Sequence, residues 1–175
     1  MVIILVKMNK SQNEFQIKQA DNRDIPTLLE ISKLCDSIKT KHYFESSLEQ
    51  RDVFIMEQDM CPVGYAMLNW NPRYSLYRRL DIPEVQDLNI IPGHRRQGRG
   101  TDFVFYLEDI VRQSGRTEIG ISVGLHSDYG QAQRLYCGLG YLPDGNGVVY
   151  DRETVTPYSI HPVDDDLCLM MVKRL

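Results

Sequence analysis

One stretch, Glu84 to Asp109, constrains the fold more than any other. Val85, Leu88, Ile90 and Ile91 make an apolar run that reads as a strand, and Pro92 stops it. A short basic loop with His94, Arg95, Arg96 and Arg99 follows, and Gly98 and Gly100 open an amphipathic segment. There Phe103, Val104, Leu107, Ile110 and Val111 recur at the helical period, which predicts a helix from about Gly98 to Arg112 with one face on a sheet. A strand, a glycine-bearing turn and a helix in that order make a phosphate cradle. Backbone N–H groups gather in the turn, and the helix N-terminus adds partial positive charge. The neighbouring arginines raise the preference for an anion. The expected ligand carries a pyrophosphate. A plain turn into a helix also accommodates Gly98-x-Gly100. Two other nucleotide motifs fail: Phe103 stands where a dinucleotide fingerprint needs its third glycine, and Arg99-Gly100 replaces the Lys-Ser/Thr of a Walker loop.

The rest of the chain supplies the sheet for that helix. Phe15 to Ala20 alternates as a strand. Asp21 or Asn22 then caps a helix with Ile25, Leu28, Leu29, Ile31 and Leu34 on one broad face. A weaker helix covers Tyr43 to Gln50. Asp52–Glu57 and Val63–Trp70 form an antiparallel hairpin, and Asn71 to Pro83 reads as a loop rich in arginine and tyrosine. After the glycine-led helix come a strand, Ile119 to Val123, and a short helix that Asp128-x-x-Gln131 opens as a capping box and Gly138 and Gly140 end. Tyr141–Leu142 and Val148–Tyr150 are strand fragments around a turn, and Leu167 to Lys173 is a last strand. This order predicts an α/β fold with a mixed sheet, antiparallel first and parallel where helices cross over. Residues 1–13 read as a leader or a short strand, and residues 14–175 as one domain, in line with a length of 175.

Two motifs carry a family resemblance. Arg95-x-x-Gly98-x-Gly100, after Ile90-x-Pro92, resembles the acyl-CoA signature of the GCN5-related N-acetyltransferase (GNAT) superfamily. Ala132-x-x-Leu135-Tyr136-x-x-x-Gly140-Tyr141 is similar to that family's later helix, and the two stand in the right order and separation. The resemblance implies the GNAT fold, a splayed central sheet flanked by about four helices, and acetyl-CoA as cosubstrate. It implies that backbone amides of Gln97, Gly98, Arg99, Gly100 and Thr101 hold the diphosphate, with Arg95 and Arg96 beside it. Arg99, where relatives carry a small or apolar residue, would add a phosphate contact. The strand edge at Leu88, Asn89 and Ile90 would align the pantetheine arm, and an N–H near Ile90 would polarise the acyl carbonyl. Tyr136 would protonate the departing thiolate, and Glu84 stands where histone-acetylating relatives carry the base, with Asp87 and Tyr77 as alternatives. Tyr129 stands where the family frequently carries an asparagine that contacts the pantetheine arm. Read without the family, Tyr136 is a core aromatic and Glu84 a strand-edge acid.

The implied reaction is direct transfer of an acetyl group to a primary amine in a ternary complex; the favoured acceptor is a small-molecule amine, with an aminoglycoside-like compound, a peptide N-terminus or a lysine also open. Two other readings stay open: a toxin that acetylates aminoacyl-tRNA, and a non-catalytic acyl-CoA-binding module. A net charge of −4 argues against a nucleic-acid partner, although Arg73, Arg78, Arg79 and the Arg95 loop could make a local basic face. His126-Ser127-Asp128 reads as a turn and cap, not as a triad. Asp164, Asp165 and Asp166 read as a solubilising surface or as a negative rim for a cationic acceptor. Four scattered cysteines with no CxxC pair suggest no zinc site, no disulfides and a cytoplasmic setting, and no segment suggests a membrane span. Homodimers are common among relatives and are an expectation here.

Overall fold

The computed structural model describes residues 15–175; the expectation for residues 1–13 lies outside them. In chain order the elements are β1 (Phe15–Gln19), α1 (Ile25–Leu34), α2 (Lys41–Gln50), β2 (Asp52–Gln58), β3 (Cys61–Asn69), α3 (Ser75–Leu80) and β4 (Glu84–Ile90). Then come α4 (Arg99–Gln113), β5 (Glu118–Gly124), α5 (Gly130–Gly138), β6 (Leu142–Tyr150), β7 (Glu153–Thr154) and β8 (Leu167–Arg174). The strands form one sheet in the order β1-β2-β3-β4-β5-β8-β6-β7. β4 and β5 run parallel, as the α4 crossover requires. The pairs β1–β2, β2–β3, β5–β8, β6–β8 and β6–β7 are antiparallel. The mixed α/β sheet is therefore as expected, with one addition: β8 inserts between β5 and β6 and returns that half of the sheet to antiparallel pairing.

By contacts the described chain divides into one unit of residues 15–68 and 87–104 and a second of residues 69–86 and 105–175. The first has its own core, with Leu28, Ile31, Phe44, Ile55, Tyr65 and Met67 wholly or almost wholly buried. Asp21 caps the turn before α1 in a reciprocal box with Asp24, and Thr40 caps α2. Leu34, assigned above to the inner face of α1, is about half exposed. Asp59 and Met60 both take left-handed φ, 51° and 63°, in the tight β2–β3 turn.

The second unit packs Tyr74, Tyr77, Ile82, Val149, Cys168 and Met170 together. Asn71 to Pro83, expected as a loop, contains α3. The tyrosines at positions 74 and 77 are the buried side of its one and a half turns, and left-handed Asp81 (φ 55°) ends it. Tyr77 lies against Gly120 of β5, where a Cβ would fall 2.2 Å from the ring. Glycine at that strand position is what admits the tyrosine. β6 is one strand rather than two fragments, because a register irregularity between Pro143 and Val148 absorbs the predicted turn.

Candidate active site

The first unit carries the loop and the carboxyl-terminal half of β4. β4's parallel ladder with β5 covers Glu84↔Gly120 and Val85↔Ile121. At Asp87 the backbone turns left-handed, φ 49°, a conformation that costs a non-glycine residue about 1–2 kcal/mol. Leu88, Asn89 and Ile90 follow this break. β3 lies close beside them: a Cβ on Gly64 would sit 2.5 Å from the Asn89 carbonyl oxygen.

Beyond β4 the loop is held from within. His94 N–H donates to the Ile91 carbonyl, Arg95 N–H to that of Pro92, and Arg95 Nε to that of Ile90 at 2.7 Å. Arg96 (φ 59°) and Gly98 (φ 83°) are both left-handed, the alternation by which a backbone gathers N–H groups. A Cβ on Gly98 would meet only Asp102 Oδ2, at 3.9 Å, so its dihedral rather than space calls for glycine. α4 begins at Arg99, leaving the first-turn amides, those of Gly100 and Thr101 among them, without intrahelical acceptors. Orphan amides, a helix N-terminus and the exposed side chains of Arg95 and Arg96 fit a diphosphate.

Arg99 differs from the expectation of an added phosphate contact. Its side chain is buried, donates to Gln58 Oε1 at 3.0 Å, lies over the Phe15 ring and pairs with Asp102 at 3.2 Å. It neutralises the one carboxylate in the first turn of α4 instead, and only its backbone amide remains for a phosphate.

The Asp87 carboxylate accepts a hydrogen bond from the Tyr43 hydroxyl of α2 and lies 3.7 Å from Lys39 Nζ. Its side chain is 24% exposed. The nearby Tyr65 hydroxyl is buried and makes no hydrogen bond among the described residues. Burial and the Asp87 charge raise the pKa of both phenols, so both stay protonated donors.

In the second unit, Glu84 is 0% exposed. Arg152 Nη2 lies 3.1 Å from its Oε1, and Gln86 donates to Oε2 at 2.8 Å. Sealed from solvent and held by a guanidinium and an amide, this carboxylate is a structural ion pair. That setting weighs against the expectation that it takes a proton from an incoming amine. Tyr77, the other alternative, is buried, and its hydroxyl donates to the Met171 carbonyl at 2.6 Å.

Tyr136 sits on α5 with its ring 6.0 Å from that of buried Tyr141. It is almost wholly buried. Burial raises its pKa, which keeps the O–H as a donor. Gln133 ties α5 to β5 by donating to the Gly124 carbonyl at 2.8 Å. Tyr129 packs its ring on Gly124 and gives its hydroxyl to Asp165, so it does not substitute for the family's asparagine.

The capping box expected at Asp128 is not formed. Tyr129 is the N-cap of α5 and makes no side-chain cap bond, while Asp128 lies 3.7 Å from His126. In the acidic loop, Asp164 accepts from the Tyr150 hydroxyl and Asp165 from Tyr129, with His126 Nε2 at 3.0 Å. These carboxylates brace their own loop. Arg73 of the proposed basic face pairs with Asp151. All four cysteines are free, no cluster of metal-ligating side chains occurs among the described residues, and no described helix is long and apolar enough to cross a membrane.

A search of curated proteins returned no match. Among solved structures, the Escherichia coli ribosomal-protein-S18-alanine N-acetyltransferase superposes with a TM-score of 0.69 at 16% identity, covering 92% of this chain and 94% of that one. The Bacillus cereus IAA acetyltransferase gives 0.66 at 13% identity, covering 93% and 100%. The Salmonella typhimurium protein yncA, solved with its cofactor acetyl-CoA, gives 0.62 at 16% identity, covering 91% and 93%. At such identities these likenesses show the fold. The family model described as the acetyltransferase (GNAT) family matches residues 20–141, from the strand before α1 to the tyrosine after α5, and the chain belongs to that family.

Proposed function

We propose that the protein transfers the acetyl group of acetyl-CoA to a primary amine, directly and in a ternary complex. One observation carries the reading: left-handed Gly98 and the unpaired first-turn amides of α4 make an anion cradle at the end of β4, where the family model matches. In this reading the amides of Gln97, Gly98, Arg99, Gly100 and Thr101 hold the diphosphate, with Arg95 and Arg96 neutralising it. Leu88, Asn89 and Ile90 align the pantetheine arm, and an amide near Ile90 polarises the carbonyl. Tyr136 donates to the departing sulfur.

The proton of the incoming amine goes to Asp87, directly or through water. Unlike Glu84, Asp87 reaches solvent, and it stands on β4 one residue before the acyl-aligning edge. The acceptor is a cationic small-molecule amine, for which a partly buried carboxylate among phenols is a suitable partner.

A panel of primary amines, assayed by release of CoA thiol from acetyl-CoA, tests the reading. The expected result is turnover on at least one alkylamine, with the acetylated amine recovered in equal amount. Tight binding of acetyl-CoA without turnover on any amine would replace the enzyme by an acyl-CoA-binding module.

A further inference from the structure

Lys39 lies in the connection between α1 and α2, next to the helix cap Thr40. Its Nζ is 3.7 Å from Asp87 Oδ2 and 4.8 Å from the centroid of the Tyr43 ring. Tyr43 O–H donates to the same carboxylate oxygen. A primary ammonium is thus held between a carboxylate and an aromatic face, the usual setting for alkylammonium recognition. The carboxylate stands at the left-handed break of β4 that leads into Leu88–Ile90. Lys39 has the chemistry of the acceptor and touches the residue assigned to take the acceptor's proton. Lys41, two residues on, is the natural contrast: it is 71% exposed, against 29% for Lys39, and pairs with Glu45 on its own helix.

We propose that Lys39 is a self-acetylation site, and that its modification frees Asp87 for the amine acceptor. The inference rests on the acetyl-CoA reading above. Lys39 gives one ammonium proton to the Asp87 carboxylate, and the free nitrogen attacks the thioester carbonyl. A C–N bond forms and the C–S bond breaks. The second nitrogen proton balances the departing CoA thiolate, and the proton on Asp87 passes to solvent. The product amide is neutral, so both the ion pair with Asp87 and the cation–π contact with Tyr43 are lost. Asp87 then lacks its internal cation and receives an external one more readily.

The test is to incubate the purified protein with deuterated acetyl-CoA and follow intact mass and peptide maps with time. One acetyl group is expected on Lys39, at least about tenfold faster than on Lys41, because a positioned nucleophile outruns a merely exposed one. The initial rate per molecule is expected not to change on dilution. Asp87→Asn should slow the labelling about 10²-fold. Lys39→Arg keeps the ion pair and should remove the label while leaving the thermal midpoint near that of the parent. Lys41 labelled as fast as Lys39, or a rate that falls with dilution, overturns the proposal. No label on Lys39 overturns it as well. If the same preparation still releases CoA with an amine from the panel, the acetyltransferase reading survives that failure; if it does not, both fall.

Discussion

Replacing Tyr136 by phenylalanine is expected to lower kcat about 10²-fold while leaving stability and the acetyl-CoA KM nearly unchanged. The structure makes this substitution unusually clean. Phenylalanine keeps the buried ring and its contact with Tyr141, so only the hydroxyl is lost. In the proposed reaction its part is donation rather than full protonation. Burial lifts the phenol above its ordinary value, while a thiol ionises near about 8.5, so complete transfer to the thiolate runs uphill. A neutral donor placed where negative charge develops still lowers the barrier, by an amount in the range of a lost oxyanion-hole contact. Steady-state kinetics on the best panel amine, with thermal unfolding of the same preparation, checks the prediction. A near-normal kcat would remove Tyr136 from the reaction.

Arg152→Met is expected to destabilise the protein by about 3–5 kcal/mol, because it leaves the Glu84 carboxylate charged and sealed without its counter-ion. Arg152 and Asp151 form the tight β6–β7 turn, both left-handed at φ 70° and 47°. From that turn the Arg152 side chain reaches Glu84 of β4. The double variant Glu84→Gln, Arg152→Met should recover much of the loss, since an amide is far cheaper to bury than an unpaired charge. Urea unfolding midpoints of the two single variants and the double measure the coupling. If Glu84→Gln alone abolishes turnover without affecting stability, Glu84 has the proton-accepting role that its burial argues against.

The sequence made the glycine-led loop before α4 legible because its signals are local. Strand, proline stop, left-handed glycine and a helical period all fall within about thirty residues, where period and turn chemistry operate. The second motif around Tyr136 was legible for the same reason. What escaped was set by contacts distant in the chain. Glu84 reads as an exposed strand-edge acid until Arg152 closes on it. Arg99 reads as a loop cation until Gln58 and Asp102 draw its side chain inward. β8 has an ordinary apolar pattern, and nothing in that pattern says that it enters between β5 and β6. α3 was hidden by its length, six residues, although the buried Tyr74 and Tyr77 carried a helical spacing. Asp87 was legible as an alternative base, but its pairing with Lys39 gave no signal, since it depends on the α1–α2 connection and on a backbone break inside a strand.

The central claim, direct acetyl transfer within a ternary complex, is tested most directly by initial rates of CoA thiol release with acetyl-CoA and the acceptor amine both varied. Double-reciprocal lines that intersect are expected, together with an acetyl group on Lys39 that does not chase to the amine, because an amide is not a transferable ester. Parallel lines, with an acetylated protein that passes its label to the amine, would indicate a covalent intermediate and contradict the account.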